Sequence, residues 1–222
     1  MPTFTTPEPI SAVLDIPAGR IRFVAADRAD TAVEVLPADP SKSRDVKAAG
    51  EAEVGYADGV LRIGIPAKNQ YFGPSGSVAV TVQLPAGSRL EVKAASAELR
   101  AEGRFGDVAV RSEHGSIQFD DVASARITTA AGDVSVGRLN GSAEIRTSKG
   151  DIRIAEAVRG ELVLRTDAGE VEVVAAAGVS ASLDAGTSSG RIHNALKNSE
   201  GAAAELTIHA TTAVGDIVAR SL

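Results

Sequence analysis

The chain contains no cysteine. It therefore has no disulfide, no zinc–thiolate centre and no thiol nucleophile. Tryptophan is absent as well, there is one methionine, and aromatic residues make up only 3 % of the sequence. A core without bulky rings is thin, which favours narrow layers or coils over a broad globular centre. No stretch approaches the roughly 18 consecutive apolar residues of a membrane-spanning helix. Neither sign of charge is clustered. The 29 Asp and Glu stand against 23 Lys and Arg, for a net charge of −6 and a pI near 5.2. Such a surface lacks the basic footprint that nucleic-acid binding requires. The first residues, from Met1 to Glu8, show no basic stretch followed by an apolar run, so the sequence reads as that of a cytoplasmic protein.

What the sequence does have is 222 residues, 44 % of them hydrophobic and mostly Ala, Val, Ile and Leu, enough to bury a core. It also has a repeat. A glycine followed by a polar residue and a branched aliphatic recurs as Gly115-Ser116-Ile117, Gly132-Asp133-Val134, Gly150-Asp151-Ile152, Gly169-Glu170-Val171, Gly190-Arg191-Ile192 and Gly215-Asp216-Ile217. The spacings are 17, 18, 19, 21 and 25 residues, widening toward the C-terminus as insertions accumulate. Three positions before the glycine stand Ser112, Thr129, Thr147, Thr166, Thr187 and Thr212. Five before it stand Val110, Ile127, Ile145, Leu164, Ala185 and Ala210; two after it stand Ile117, Val134, Ile152, Val171, Ile192 and Ile217. Four after it the aliphatic column ends, with Asn194 and Ala219 in the last two units.

Apolar columns two apart, with Glu144, Arg146, Asp151 and Arg153 between them, have the period of a half-buried strand. Each unit is predicted to be a strand, a tight turn at a glycine free to take positive φ, and a second strand, with the Thr hydroxyl bonded to turn backbone. Helix is confined to single turns such as Ala155–Val158 or Gly201–Glu205. Before residue 99 the theme is less regular. Strands are expected around Ala12–Ile16, Ile21–Val24, Val60–Ile65 and Val80–Leu84, with surface loops over Ala38–Glu53 and Pro66–Gly76. The reading is one elongated all-β domain over 1–222, irregular over 1–98 and regular over 99–222. Identical residue types in identical columns favour a β-solenoid-like stack of coils; a sandwich or prism of hairpins is the alternative.

The phrase Thr-x-x-Gly-Asp-Val/Ile, the turn Leu139-Asn140-Gly141 and the following Ala-x-Ile-x-Thr resemble the bacterial putative-adhesin families of β-strand repeats, largely domains of unknown function. The resemblance is clearest from about Leu99 onward, and Ser189-Gly190-Arg191-Ile192-His193-Asn194 looks like an actinobacterial branch. It implies a repeat fold and, by the family's name, adhesion; it implies no catalytic residue set.

Candidate chemistry is sparse. Asp133, Asp151 and Glu170 would form an acidic ladder about 5 Å apart if coils stack. This is either a calcium site or, with Arg146, Arg153 and Arg165 near in register, an acid–base laced surface. The laced surface is preferred, because the spacing of calcium-binding β-rolls is missing. His193 and His209 point outward by strand parity and His114 adjoins the Gly115 turn; none has a partner at a local spacing that would make a metal pair or a general base. There is no Gly-x-Ser-x-Gly elbow and no phosphate loop. Tyr71 and Phe72 lie between Asn69-Gln70 and Gly73-Pro74, as caps of the core or as a partner contact. The expectation is a non-enzymatic module without metal or cofactor that binds a protein partner. The alternative is a structural protein that self-associates end to end.

Overall fold

Alternation of apolar and polar residues at period two drives most of the chain into strand. The computed structural model describes residues 2–65 and 76–222, so Tyr71 and Phe72 lie outside the described residues. The chain divides into two units, Met1–Gly115 and Ser116–Leu222.

The first unit holds β1 (Thr3–Thr5), β2 (Ser11–Ala26), β3 (Asp30–Pro37), α1 (Ser43–Gly50), β4 (Glu53–Ala57), β5 (Val60–Gly64), β6 (Val78–Pro85) and β7 (Arg89–His114). Long strands β2 and β7 lie parallel and in register from Ser11 opposite Arg89 to Val24 opposite Glu102. On its other side β2 pairs in parallel with β5 along its first half and with β6 along its second. Antiparallel strands complete the unit: β3 on β6, β1 on β3 and β4 on β5. Leu14, Ile16, Ile21, Phe23, Leu61 and Leu84 are fully buried, and Phe23 meets Phe105 edge-on with centroids 6.4 Å apart. Two expectations are corrected. The stretch Ala38–Glu53 is not all loop, because α1 forms there: Ala48 is buried and the buried Asp45 carboxylate accepts the Ser77 N–H at 2.9 Å. β2 also runs unbroken through Pro17-Ala18-Gly19-Arg20.

The second unit is a stack of parallel coils. Its strands are β8 (Ile117–Ala131), β9 (Val134–Leu139), β10 (Ala143–Lys149), β11 (Ile152–Ala157), β12 (Gly160–Ala168), β13 (Val171–Ala175), β14 (Ala181–Ser189), β15 (Ile192–Ala195), β16 (Leu206–Val214) and β17 (Ile217–Ser221). Each coil comprises the strand before a turn glycine and the strand after it. Coil 1 is 125–139, coil 2 is β10 with β11, coil 3 is β12 with β13, coil 4 is β14 with β15, and coil 5 is β16 with β17. All the pre-glycine strands pair in parallel with one another, and so do all the post-glycine strands. The solenoid-like stack holds, and the sandwich or prism of hairpins does not. Of Ala155–Val158, expected as a helical turn, residues 155–157 belong to β11, whereas within Gly201–Glu205 the residues Gly201–Ala203 form one 3-10 turn.

The coils do not stack in chain order. β16 pairs with β12 on one side and β14 on the other, and β17 likewise separates β13 from β15. The spatial order is therefore 1-2-3-5-4: the last coil of the chain slides between the third and the fourth. This gives the spacing of 21 residues between Gly169 and Gly190, in coils 3 and 4, a physical meaning. A connector that skips one coil must cross two strand spacings of about 4.8 Å instead of one, and it needs extra residues to do so. Ala219 fits this interior place and is buried, while the Ile192 side of coil 4 is left partly open, at 46 % exposure.

Candidate functional site on the coil stack

The turn glycines form a column. A Cβ added to Gly150 would overlap the carbonyl of Gly132; one on Gly169 would overlap Gly150, one on Gly215 would overlap Gly169, and one on Gly190 would overlap Gly215. The column thus follows the spatial coil order, and only residues without a side chain let backbones approach this closely. Gly115, the sixth turn glycine, lies in the first unit, where its Cβ would overlap the carbonyl of Ala97.

Beside the glycines runs the Thr column. Thr166 Oγ1 donates to Gly150 O at 2.9 Å, Thr212 Oγ1 to Gly169 O at 3.0 Å, and Thr187 Oγ1 to Gly215 O at 3.1 Å. The hydroxyls do bond turn backbone, but across the stack and not within their own turn, because it is the neighbouring glycine carbonyl that points along the stacking direction. Thr129 Oγ1 is buried without a hydrogen-bond partner.

The acidic ladder belongs to the same machinery. The N–H of Asp151 donates to Asp133 Oδ1, that of Glu170 to Asp151 Oδ1, and that of Arg191 to Asp216 Oδ1, each at 2.9 Å. Each short carboxylate is satisfied by an amide of the next coil, and Asp151 Oδ2 also takes the Arg153 guanidinium at 2.6 Å. At the end of the column the charge reverses. Arg191 binds Asp216 Oδ2 through Nη2 at 2.7 Å and Nε at 3.1 Å. These contacts hold the Asp216 carboxyl below its usual range, the Arg191 side-chain hydrogen bond being the largest cause, and raise the Arg191 guanidinium. Among the described residues no group of three or more His, Asp or Glu is placed to hold a metal ion.

The outer face of the pre-glycine strands carries rows of exposed charge. Arg126 pairs with Glu144 at 3.5 Å, Glu144 with Arg146 at 2.8 Å, and Arg165 with Asp167 at 3.8 Å. Arg146 and Arg165 stand directly opposite each other in the ladder, 57 % and 65 % exposed. Further along, His209 Nδ1 lies 3.3 Å from Asp184 Oδ2 and its Nε2 lies 3.7 Å from Glu161 Oε1. This cluster was not expected. His209 does point outward, but it has two carboxylate neighbours, one from each flanking coil, and the altered coil order is what brings Glu161 of coil 3 to it. The widened glycine spacings were the only sequence signal for it. His114 and His193 are exposed.

Among the described residues the first unit has these open clefts. One, of about 500 Å³, is lined by Val13, Asp15, Glu53, Val54, Arg62 and Ile63. The other, of about 480 Å³, is lined by Pro7, Pro9, Asp27, Arg28, Pro85 and Arg104. Neither is lined by a histidine, and the Asp15 carboxylate is paired with Lys93 at 3.4 Å.

The chain matches one family profile, that of Toastrack DUF4097, over residues 13–220. The chain belongs to that family. Among solved structures it is similar to a putative adhesin from Bacteroides fragilis NCTC 9343, with 14 % identity, 98 % of this chain and 95 % of that chain covered, and a TM-score of 0.60. It is also similar to a putative cell adhesion protein from Clostridium sporogenes ATCC 15579, with 12 % identity, 100 % and 98 % covered, and a TM-score of 0.46. At such identities the likeness is one of fold. No curated protein matches the chain. The Toastrack coil stack therefore accounts for the Gly, Thr and Asp columns as parts of a scaffold, and it leaves the exposed rows and the free coil end without a structural duty.

Proposed function

We propose that this Toastrack chain is a non-enzymatic binding module whose outer face of pre-glycine strands receives an acidic segment of a protein partner. The observation that carries the reading is the pair Arg146 and Arg165, directly opposite in register on an exposed face. Like charges in that position are destabilising by themselves. The nearby carboxylates offset the repulsion only in part, since Glu144 is shared with Arg126 of β8 and Asp167 lies 3.8 Å from Arg165. A partner carboxylate between the two guanidiniums would relieve it and could be gripped by two forks at once. The putative-adhesin name of the Bacteroides fragilis fold neighbour agrees with a binding role. Ser189–Asn194 is the segment on which we place the chain in an actinobacterial branch.

The test compares the wild-type chain with Arg146→Glu/Arg165→Glu in affinity capture, followed by chemical crosslinking with residue-level mapping. A protein retained by the wild type, crosslinked beside these strands and lost with the double variant supports the reading. The same proteins retained by both chains at equal yield would overturn it.

A further inference from the structure

The turn Leu139-Asn140-Gly141 is the one place in the sequence where glycine follows asparagine. That pair carries a chemistry of its own, because no side chain on the glycine hinders its backbone nitrogen. The Gly141 nitrogen gives up its proton and bonds to Asn140 Cγ, the Cγ–Nδ2 bond breaks, and Nδ2 takes up the proton and leaves as ammonia. Water then opens the resulting cyclic imide at one carbonyl or the other, leaving aspartate or isoaspartate and one added negative charge. In the folded stack this amide is engaged on both of its atoms. Nδ2 donates to Asp121 Oδ1 at 2.7 Å and to Val122 O at 3.1 Å, while Oδ1 accepts from Arg138 Nε at 3.2 Å. Asp121 and Val122 lie on β8, opposite Arg138 and Leu139 of β9. The backbone is held too: the Asn140 N–H donates to Val122 O at 3.0 Å, and its carbonyl accepts from Arg159 Nε at 3.3 Å.

We propose that Asn140 is a site of spontaneous deamidation gated by the coil stack: the closed β8–β9 joint withholds the amide, and opening of that joint releases it for attack by Gly141. Three hydrogen bonds must break before the side chain can turn, so the reaction runs from a locally opened state whose population the joint sets. The product then weakens the joint that had protected the asparagine. A carboxylate at position 140 has no proton to give Asp121 or Val122, and it stands against the Asp121 carboxylate, with Arg138 alone still donating to it. Isoaspartate adds a methylene to the backbone of a turn that has no room, since even a Cβ on Gly141 would lie 2.7 Å from the Ala123 carbonyl oxygen. The site is independent of the Arg146/Arg165 face, so either proposal can fail without the other.

The test is the rate of ammonia loss at each asparagine of the full chain, followed at mildly alkaline pH by peptide mass spectrometry that separates aspartate from isoaspartate. In denaturant Asn140 should react faster than Asn194 and Asn198, which are followed by Ala195 and Ser199. In the folded wild type its rate should fall at least about tenfold below the denatured rate. Asp121→Ala removes a charged acceptor worth about a factor of ten and should raise the folded-state rate by about that factor. Asp121→Asn keeps an oxygen acceptor and should raise it less. Arg138→Gln, which frees Asn140 Oδ1, gives a second reading where Asp121→Ala does not fold, and it too should speed the reaction. Equal rates in the folded and denatured wild type, folded variants that react no faster than the wild type, or a denatured chain in which Asn140 is no faster than Asn194 and Asn198 would each overturn the proposal.

Discussion

The backbone N–H of Glu170 donates to the carboxylate of Asp151 at 2.9 Å, from one coil to the next. The acidic column is therefore a set of acceptors for amides that would otherwise face solvent at the turn, and it needs no cation to be stable. Replacing Asp151 by Ala removes this acceptor and the partner of Arg153, and should cost about 1 kcal/mol. Asp151→Asn keeps an oxygen acceptor and should cost less. Urea unfolding with and without calcium checks both points. Added calcium should leave the midpoints of all three proteins unchanged, and a calcium-dependent rise confined to the wild type would make the column a metal site after all.

The Thr column permits a sharper comparison, since its members share shape and burial but not satisfaction. Thr166 donates to Gly150 O at 2.9 Å, and Thr129 Oγ1 has no partner. Thr→Val is nearly isosteric. Thr166→Val should destabilise by about 1 kcal/mol, because it leaves the half-buried Gly150 carbonyl short of a donor. Thr129→Val should be neutral or stabilising, because it removes an unsatisfied buried hydroxyl. Equal losses at the two sites, measured by chemical denaturation, would mean that packing and not hydrogen bonding sets the column.

How much of this was readable beforehand differs by level. Val, Ile and Leu columns two residues apart, locked to a recurring glycine, revealed the strands, the turns and the stacking, because each is a local consequence of side-chain parity and backbone freedom. The coil order was not readable, since Gly190 and Gly215 carry the same signature and either could follow Gly169. Only the connector lengths differ, and length alone does not say which coil is skipped. For the same reason the His209, Asp184 and Glu161 cluster was invisible, its members being 23 to 48 residues apart in sequence. Helix α1 was missed because its anchor, Asp45 on the Ser77 amide, is a tertiary contact within a polar stretch.

The glycine column predicts a steep contrast between positions. Gly169 has φ +155°, and a Cβ there would overlap the backbone of Gly150. Gly169→Ala should cost more than about 3 kcal/mol or prevent folding of the second unit. At Gly55 in β4 a Cβ meets nothing within 4 Å, and Gly55→Ala should stay within about 0.5 kcal/mol of the wild type. Thermal and urea unfolding of the two variants measures the difference.

Coil 4 should loosen in acid. The Asp216 carboxyl is held below its usual value by Arg191. A depressed folded-state value means that the stabilisation is complete above the unfolded carboxylate pKa of about 3.9 and is lost as pH falls through the folded value. Removing the partner with Arg191→Gln should therefore destabilise at pH 6, and the difference from the wild type should shrink toward zero as pH drops below about 3.9. The effect should concentrate in the amides of β15, whose hydrogen-exchange protection in the variant at pH 6 should resemble that of the wild type in acid. A difference between the two proteins that stays constant with pH would show that Arg191 acts through its aliphatic stem and not through its charge on Asp216.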